Sequence, residues 1–375
     1  MLIHNIGPLA DLYNSFPTSV EGFVMPARYI RCPECRCEFE PDREDLRFGS
    51  SRCPECRAMV PIRGAGGRGS KGSSGSKWLV IILVLGSIGL LGCCGLCGGF
   101  FWYSLKPTTF PEQTEDYADA RKSFKTTLTK QGAAPQPWDK ESPPPGVKEI
   151  TFNSGNLKLK AWVDEPPAKQ PLKPAVLFLH GGFAFGAEDW DQCKPFRDAG
   201  FVTMTPILRG ENGQPGSYTM FYDEVDDVVA AAEALAKIPG VDPNRIFVAG
   251  HSVGGTLAML GAMTSKRFKG CASFSGSPDQ PHWIRGQETL APFDYTDEKE
   301  MAMRSPLAFP KSFKCPARLY WGNQEWAIFA GPSKKLAELA KANGQDVEAI
   351  QVNGDHMSSV TPAMSQAVTF FKGVK

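Results

Sequence analysis

From Val147 to Lys375 two hydrophobic periods alternate along the chain. Short apolar runs, AVLFLH (175–180), FVTMTP (201–206), RIFVAG (245–250), CASFSG (271–276) and ARLYWG (317–322), are rich in β-formers and read as strands. KEITFNSGNLKLKAWV reads as two more strands around an Asn-Ser-Gly-Asn turn. Helical patterns lie between the runs. Val225, Val228, Val229, Ala232, Leu235 and Ala236 fall on one helix face that stops at Pro239-Gly240. Further helices are expected from Pro332 to Gly344 and from Thr361-Pro362 onward, the last burying Met364, Ala367, Val368 and Phe371. Apolar strands alternating with helices imply a mostly parallel sheet covered on both faces, an α/β fold. Such sheets carry their sites at the carboxyl ends of the strands.

Upstream the pattern changes. Residues 78–105, WLVIILVLGSIGLLGCCGLCGGFFWYSL, contain no charged residue. That is long enough for a single transmembrane helix, and Trp78 and Trp102-Tyr103 occupy the two interfacial ends. A signal peptide or a lipoprotein cleavage box at Cys93 is the rival reading, and both fit poorly so far from residue 1. Arg63, Arg68, Lys71 and Lys77 precede the span, whereas Glu112, Glu115, Asp116 and Asp119 follow it. The expectation is a single-pass membrane protein with a cytoplasmic N-terminus and the large domain on the exoplasmic or periplasmic side. The segments are then an N-terminal extension (1–24, with Met25 an alternative start), a cysteine module (25–63), a Gly/Ser-rich linker (64–77), the span (78–105), a stalk (106–146) and the large domain (147–375). The stalk combines one polar helix with the proline-rich spacer APQPWDKESPPPG.

Net charge is +1, so charge says little about partners. The eleven cysteines are unevenly spread: five lie between residues 32 and 56, three within 93–97, and three in the large domain. That is no disulfide framework. Cys32/Cys35 and Cys53/Cys56 form two CPEC turns with the spacing of a structural zinc ribbon. So short a module needs metal binding to fold, and a closed four-sulfur site performs no metal catalysis. Acids interleave with its arginines, which argues against nucleic acid as partner.

The candidate chemistry lies in RIFVAGHSVGGTLAML (245–260). GHSVG fits G-x-S-x-G, with a strand before it and a helix after it, so Ser252 is the candidate nucleophile at a sharp turn. The amide of Val253 then faces an oxyanion hole. His356, in VNGDHMSS after the last strand, is the candidate base by elimination among five histidines. The orienting acid is expected in the loop after ARLYWG, where Glu325 stands; Asp279 and Asp355 are the alternatives. The second oxyanion amide is expected from Gly182 or Phe183 in the HGGF loop, with His180 in a structural role. The insertion between the strands at 271 and 317 caps the site, and Trp283, Phe293 and Met301 are candidate pocket-lining residues.

AVLFLHGG, LRGENGQPG, VDPNRIFVAGHSVGG, the loop from Gly322 to Glu325, and GDH at 354–356 together resemble an α/β-hydrolase of the prolyl-oligopeptidase and dienelactone-hydrolase branch. The resemblance covers residues 147–375. It implies an eight-stranded sheet, a Ser252–Glu325–His356 triad and no catalytic cofactor. The family usually carries aspartate at the position of Glu325, and the β-propeller of prolyl oligopeptidases is missing. The CPEC ribbon followed by a span resembles zinc-ribbon modules of bacterial membrane proteins. The expected activity is that of a serine hydrolase acting on a small ester or a peptide. The other readings are an idle hydrolase fold and a zinc-ribbon interaction protein.

Overall fold

The computed structural model describes residues 30–32, 36–39, 50–52, 55, 59–61, 113–164, 171–325 and 327–374. The chain divides into two units, Met1–Ser87 and Ile88–Lys375. In the first, Ile30–Arg31 pairs with Glu38–Phe39 and Ser50–Arg52 with Met59–Pro61, both antiparallel. Cys32 is buried at the first turn. Its N–H donates to the Cys37 carbonyl (2.9 Å) and its carbonyl accepts from Arg36 N–H (3.0 Å). Arg36 takes a left-handed φ of 64° to close that turn. Cys35, Cys53 and Cys56 lie outside the described residues, among which no cluster of three metal-ligating side chains occurs.

The membrane expectation is corrected. Among the described residues no helix is long and apolar enough to cross a membrane. The expectation rested on residues 78–105, which lie outside them. An uncharged run meets the length a span requires, but on that finding the single-pass localisation does not stand.

The second unit is built on eight strands: β1 (Val147–Ser154), β2 (Leu157–Asp164), β3 (Lys173–Leu179), β4 (Val202–Pro206), β5 (Val241–His251), β6 (Phe268–Phe274), β7 (Ala317–Gly322) and β8 (Val347–Val352). They lie in the order 1-2-4-3-5-6-7-8. β1 and β2 form a hairpin turned by Gly155 at φ 57°, and β2 meets β4 antiparallel. From β4 onward all neighbours are parallel. Every residue from Ala175 to Leu179 and from Ile246 to His251 is buried, as expected of central strands covered on both faces.

Among the described residues of the second unit nine α-helices follow in chain order: α1 (Tyr117–Ser123), α2 (Ala187–Gln192), α3 (Lys194–Asp198), α4 (Glu224–Leu235), α5 (Val253–Thr264), α6 (Gln280–Trp283), α7 (Glu298–Ala302), α8 (Ala327–Ala342) and α9 (Val360–Gly373). α4 buries Val225, Val228, Ala231, Ala232 and Leu235. α9 begins at Val360 and buries Met364, Ala367 and Phe371 on the opposite cluster, where Phe371 stacks on Phe247 at 4.5 Å. α8 starts at Ala327 instead of Pro332, so the proline lies inside the helix. A proline there removes one backbone donor; Phe329, buried in that extra turn, anchors it.

The expected stalk packs on this unit. Tyr117 of α1 is fully buried and donates through its hydroxyl to the Met303 carbonyl (2.9 Å). Arg121 reaches the Tyr222 carbonyl (2.8 Å) and Asp226 (2.6 Å). Thr129 N–H donates to the Pro292 carbonyl (2.8 Å).

Candidate active site

Ser252 stands between β5 and α5 with φ 54° and ψ −115°, a conformation that a non-glycine residue holds only where its surroundings impose it. Its N–H donates to the Phe274 carbonyl (2.8 Å). Glycines make the turn possible: a Cβ on Gly250 would strike the Gly254 carbonyl oxygen, and one on Gly254 would strike the carbonyl oxygens of Leu179 and His180. A Cβ on Gly181 would lie 3.7 Å from the Cβ of Ser252, so the HGGF loop runs directly past the serine.

His356 and Glu325 meet. His356 Nδ1 lies 3.1 Å from Glu325 Oε1. A carboxylate oxygen only accepts, so Nδ1 carries the hydrogen and Nε2 keeps its lone pair. The Glu325 side chain is 1% exposed and that of His356 37%. Ser275 Oγ–H donates to the same Oε1 at 2.5 Å, while Oε2 is buried with no hydrogen-bond partner among the described residues. The loops that carry these two residues are knitted together. Gln324 N–H donates to the Gly354 carbonyl (3.0 Å), Gly354 N–H to Asn323 Oδ1 (3.0 Å), and Asn323 Nδ2 to Asn353 Oδ1 (3.1 Å). Phe329 stacks on the His356 ring at 5.1 Å.

The alternative acids have other tasks. Asp355 Oδ1 accepts from Met357 N–H, Ser358 N–H and Ser358 Oγ, which holds its carboxyl below the usual range. Asp279 is buried at the N-terminus of α6 and accepts from His282 N–H.

His251, next to the serine, also touches the histidine loop. Its Nε2–H donates to the His356 carbonyl (2.9 Å), and the two rings lie 4.8 Å apart. Burial, and then the neighbouring His356, push its pKa down to about 4, so it is neutral at physiological pH. His180 is different. Burial opposes its charge, but the Glu211 carboxylate 3.0 Å from Nε2 outweighs that and raises its pKa to about 9. Glu211 Oε2 also accepts from Leu208 N–H (2.9 Å), so this buried pair ties the end of β3 to the loop after β4.

The expected oxyanion amides separate. Val253 is the first residue of α5, next to the serine. Phe183 N–H already donates to Gln136 Oε1 (2.8 Å), which leaves Gly182, at φ 68°, as the loop amide to be assigned. The expected pocket residues separate too. Trp283 lies 6.4 Å from Phe183 and 5.6 Å from Phe221, beside the HGGF loop. Phe293 and Met301 belong to the main hydrophobic cluster. Both are buried in the core, and the Arg304 guanidinium sits 3.6 Å over the Phe293 ring. An apolar residue in an insertion reads alike in sequence whether it lines a cavity or fills a core. A surface groove of about 890 Å³ at the amino ends of β6 and β7 contains none of these residues.

Residues 176–362 match the Alpha/beta hydrolase family. The chain is similar to an uncharacterized peptidase of Bacillus subtilis, YtmA, with 30% identity over 115 residues, 30% of this chain and 44% of that protein. A second uncharacterized peptidase of that organism, YuxL, is 22% identical over 236 residues, 57% of this chain and 36% of its own. The chain thus spans less than half the length of these curated relatives. Among solved structures, a puromycin-hydrolyzing peptidase of Mycobacterium tuberculosis superposes with a TM-score of 0.53 at 21% identity, covering 63% of this chain and 41% of that one. An esterase of Pyrobaculum calidifontis superposes with a TM-score of 0.51 at 22% identity, covering 62% and 88%. At these identities the structural likeness concerns the fold. The sheet order, the strained serine turn and the family match over residues 176–362 agree on one conclusion: the C-terminal unit has the alpha/beta hydrolase fold.

Proposed function

We propose that this unit is a serine hydrolase that cleaves a small ester or a peptide through an acyl-enzyme on Ser252, with His356 as base and Glu325 as the orienting acid. The observation that carries the reading is the contact of His356 Nδ1 with the buried Glu325 carboxylate, in the two loops that follow β7 and β8. Ser252 Oγ attacks the substrate carbonyl carbon and His356 Nε2 takes its proton. The Val253 and Gly182 amides stabilise the oxyanion. Collapse expels the alcohol or amine, which takes the proton from His356. Water, deprotonated by the same nitrogen, then releases the carboxylic acid and restores Ser252. Glu325 orients His356 and faces the imidazolium, and Ser275 holds it in place. His251 braces the backbone of His356 from the residue next to the nucleophile. The peptidase and esterase names of the relatives favour this substrate class.

The full-length chain is to be treated with a fluorophosphonate probe. Ser252 should be labelled in the wild type, and Ser252→Ala and His356→Ala should lose both labelling and ester turnover while remaining folded. Near-wild-type turnover in either variant overturns the assignment.

We also propose that Cys32, Cys35, Cys53 and Cys56 hold a structural zinc. The buried Cys32 at a turn closed by two backbone hydrogen bonds supports this, since such a turn directs sulfur inward. Metal analysis of the full-length protein should give one zinc per chain, lost in Cys53→Ser. A metal-free wild type with the N-terminal unit folded rules the site out.

A further inference from the structure

Residues 132–141 precede the sheet and the family-matched region, yet they lie along the HGGF loop. The strap is docked at its start by two backbone bonds: Tyr218 N–H donates to the Gly132 carbonyl and Ala134 N–H to the Gly210 carbonyl, both at 2.9 Å. Gln136 follows, between Pro135 and Pro137. Pro137 holds the residue before it extended, and each proline fixes its own φ, so little backbone entropy is lost when the strap is laid down. Trp138 packs on the face of Gly213, where a Cβ would lie 3.2 Å from its ring. Glu141 closes the strap by accepting from Ala187 N–H at 2.6 Å.

Between these anchors Gln136 Oε1 accepts from Phe183 N–H (2.8 Å) and lies 2.5 Å from where a Cβ of Gly182 would sit. The rest of the loop is held in the same manner. Phe185 exchanges two 2.8 Å bonds with the Asn212 side chain, and Gly186 N–H donates to Asp189 (2.9 Å). The Phe183 side chain is wedged against Tyr218 at 5.2 Å. A loop amide stabilises an oxyanion only if it already points at the developing charge, because reorienting it during the reaction costs what the bond returns. Gly182 has no side chain and a left-handed φ, so its own backbone specifies that orientation weakly.

We propose that Gln136 is a positioning residue for the oxyanion hole: it clamps the Gly182–Phe183 peptide from outside and preorganises the Gly182 amide. This rests on the serine-hydrolase reading above. It makes the strap part of the active site, although it precedes every strand of the sheet. Gln136 is itself exposed, so replacing it leaves the core untouched.

The test uses the full-length protein with an acyl ester substrate. Gln136→Met keeps the length and removes the acceptor. Gln136→Glu keeps an acceptor but sets a negative charge beside the developing oxyanion. The expected result is a kcat lowered about tenfold by Met and further by Glu, a fraction of the 10²–10³ lost with a whole oxyanion donor. KM should stay within about twofold and the melting temperature should not change. Fluorophosphonate labelling of Ser252 should slow in parallel. Unchanged kcat in both variants, with Ser252 labelled as in the wild type, overturns the positioning role alone. A rise in kcat for Met also overturns it and makes the strap an inhibitory cover. Failure to label wild-type Ser252 removes the underlying reading and this inference with it.

Discussion

Glu325→Gln separates the two tasks of the acid. The glutamine oxygen can take the place of Oε1, accepting from both His356 Nδ1–H and Ser275 Oγ–H. Its amino group then falls where Oε2 lies, a position with no hydrogen-bond partner among the described residues. The tautomer of His356 therefore survives, and what disappears is the negative charge facing the imidazolium formed during attack. With Nδ1 and Oε1 3.1 Å apart, the charge centres are about 4 Å apart, which at an effective dielectric of about 20 is worth about 4 kcal/mol. At 1.36 kcal/mol per decade this is roughly a thousandfold in kcat, less than the roughly 10⁴ seen where the amide also imposes the wrong tautomer. The assay is steady-state turnover of an acyl ester at neutral pH, with thermal unfolding in parallel. The melting temperature should hold, since no hydrogen bond is lost and a buried charge is removed. Asp355→Asn and Asp279→Asn serve as controls and should each cost less than tenfold, because their carboxylates cap a loop and a helix. A Glu325→Gln loss under tenfold, or a larger loss in either control, refutes the assignment of the acid.

Other outcomes follow from two of the buried histidines, His251 and His180. His251→Phe keeps the ring and loses the donor to the His356 carbonyl; kcat should fall about tenfold with KM unchanged, and His251→Gln, which retains a donor, should recover most of it. The charge on His180 is favoured in the fold, its pKa of about 9 lying above the unfolded value of about 6.5. The stability it contributes is fully present below pH 6.5 and is lost as pH rises through 9. Thermal unfolding between pH 7 and 9.5 should therefore show a falling midpoint in the wild type and a flatter one in Glu211→Gln; equal slopes would refute the pairing. His251 has the opposite sign: its pKa is lowered to about 4, so its contribution is present above pH 6.5 and lost as pH falls toward 4.

The sequence by itself determined the elements whose signals are local. Apolar runs broken by amphipathic helices implied the parallel sheet, and the two glycines around Ser252 marked a turn that admits no Cβ. His356 and Glu325 could be proposed as base and acid because chain order restricts where such residues stand, and their side chains are in contact. Helix starts were less legible: the first turn of α8 forms because Phe329 is buried there, and no cap announces it. Only the tertiary structure decided which residues support the site. Ser275 reaches Glu325 across 50 positions, Gln136 reaches Phe183 across 47, and His251 reaches the His356 carbonyl across 105. A serine, a glutamine or a neutral histidine carries no periodicity and no motif, and each acquires its role only when the sheet order sets its partner beside it. For the same reason only the fold places Phe293 and Met301 in the main hydrophobic cluster, with the Arg304 guanidinium over the Phe293 ring.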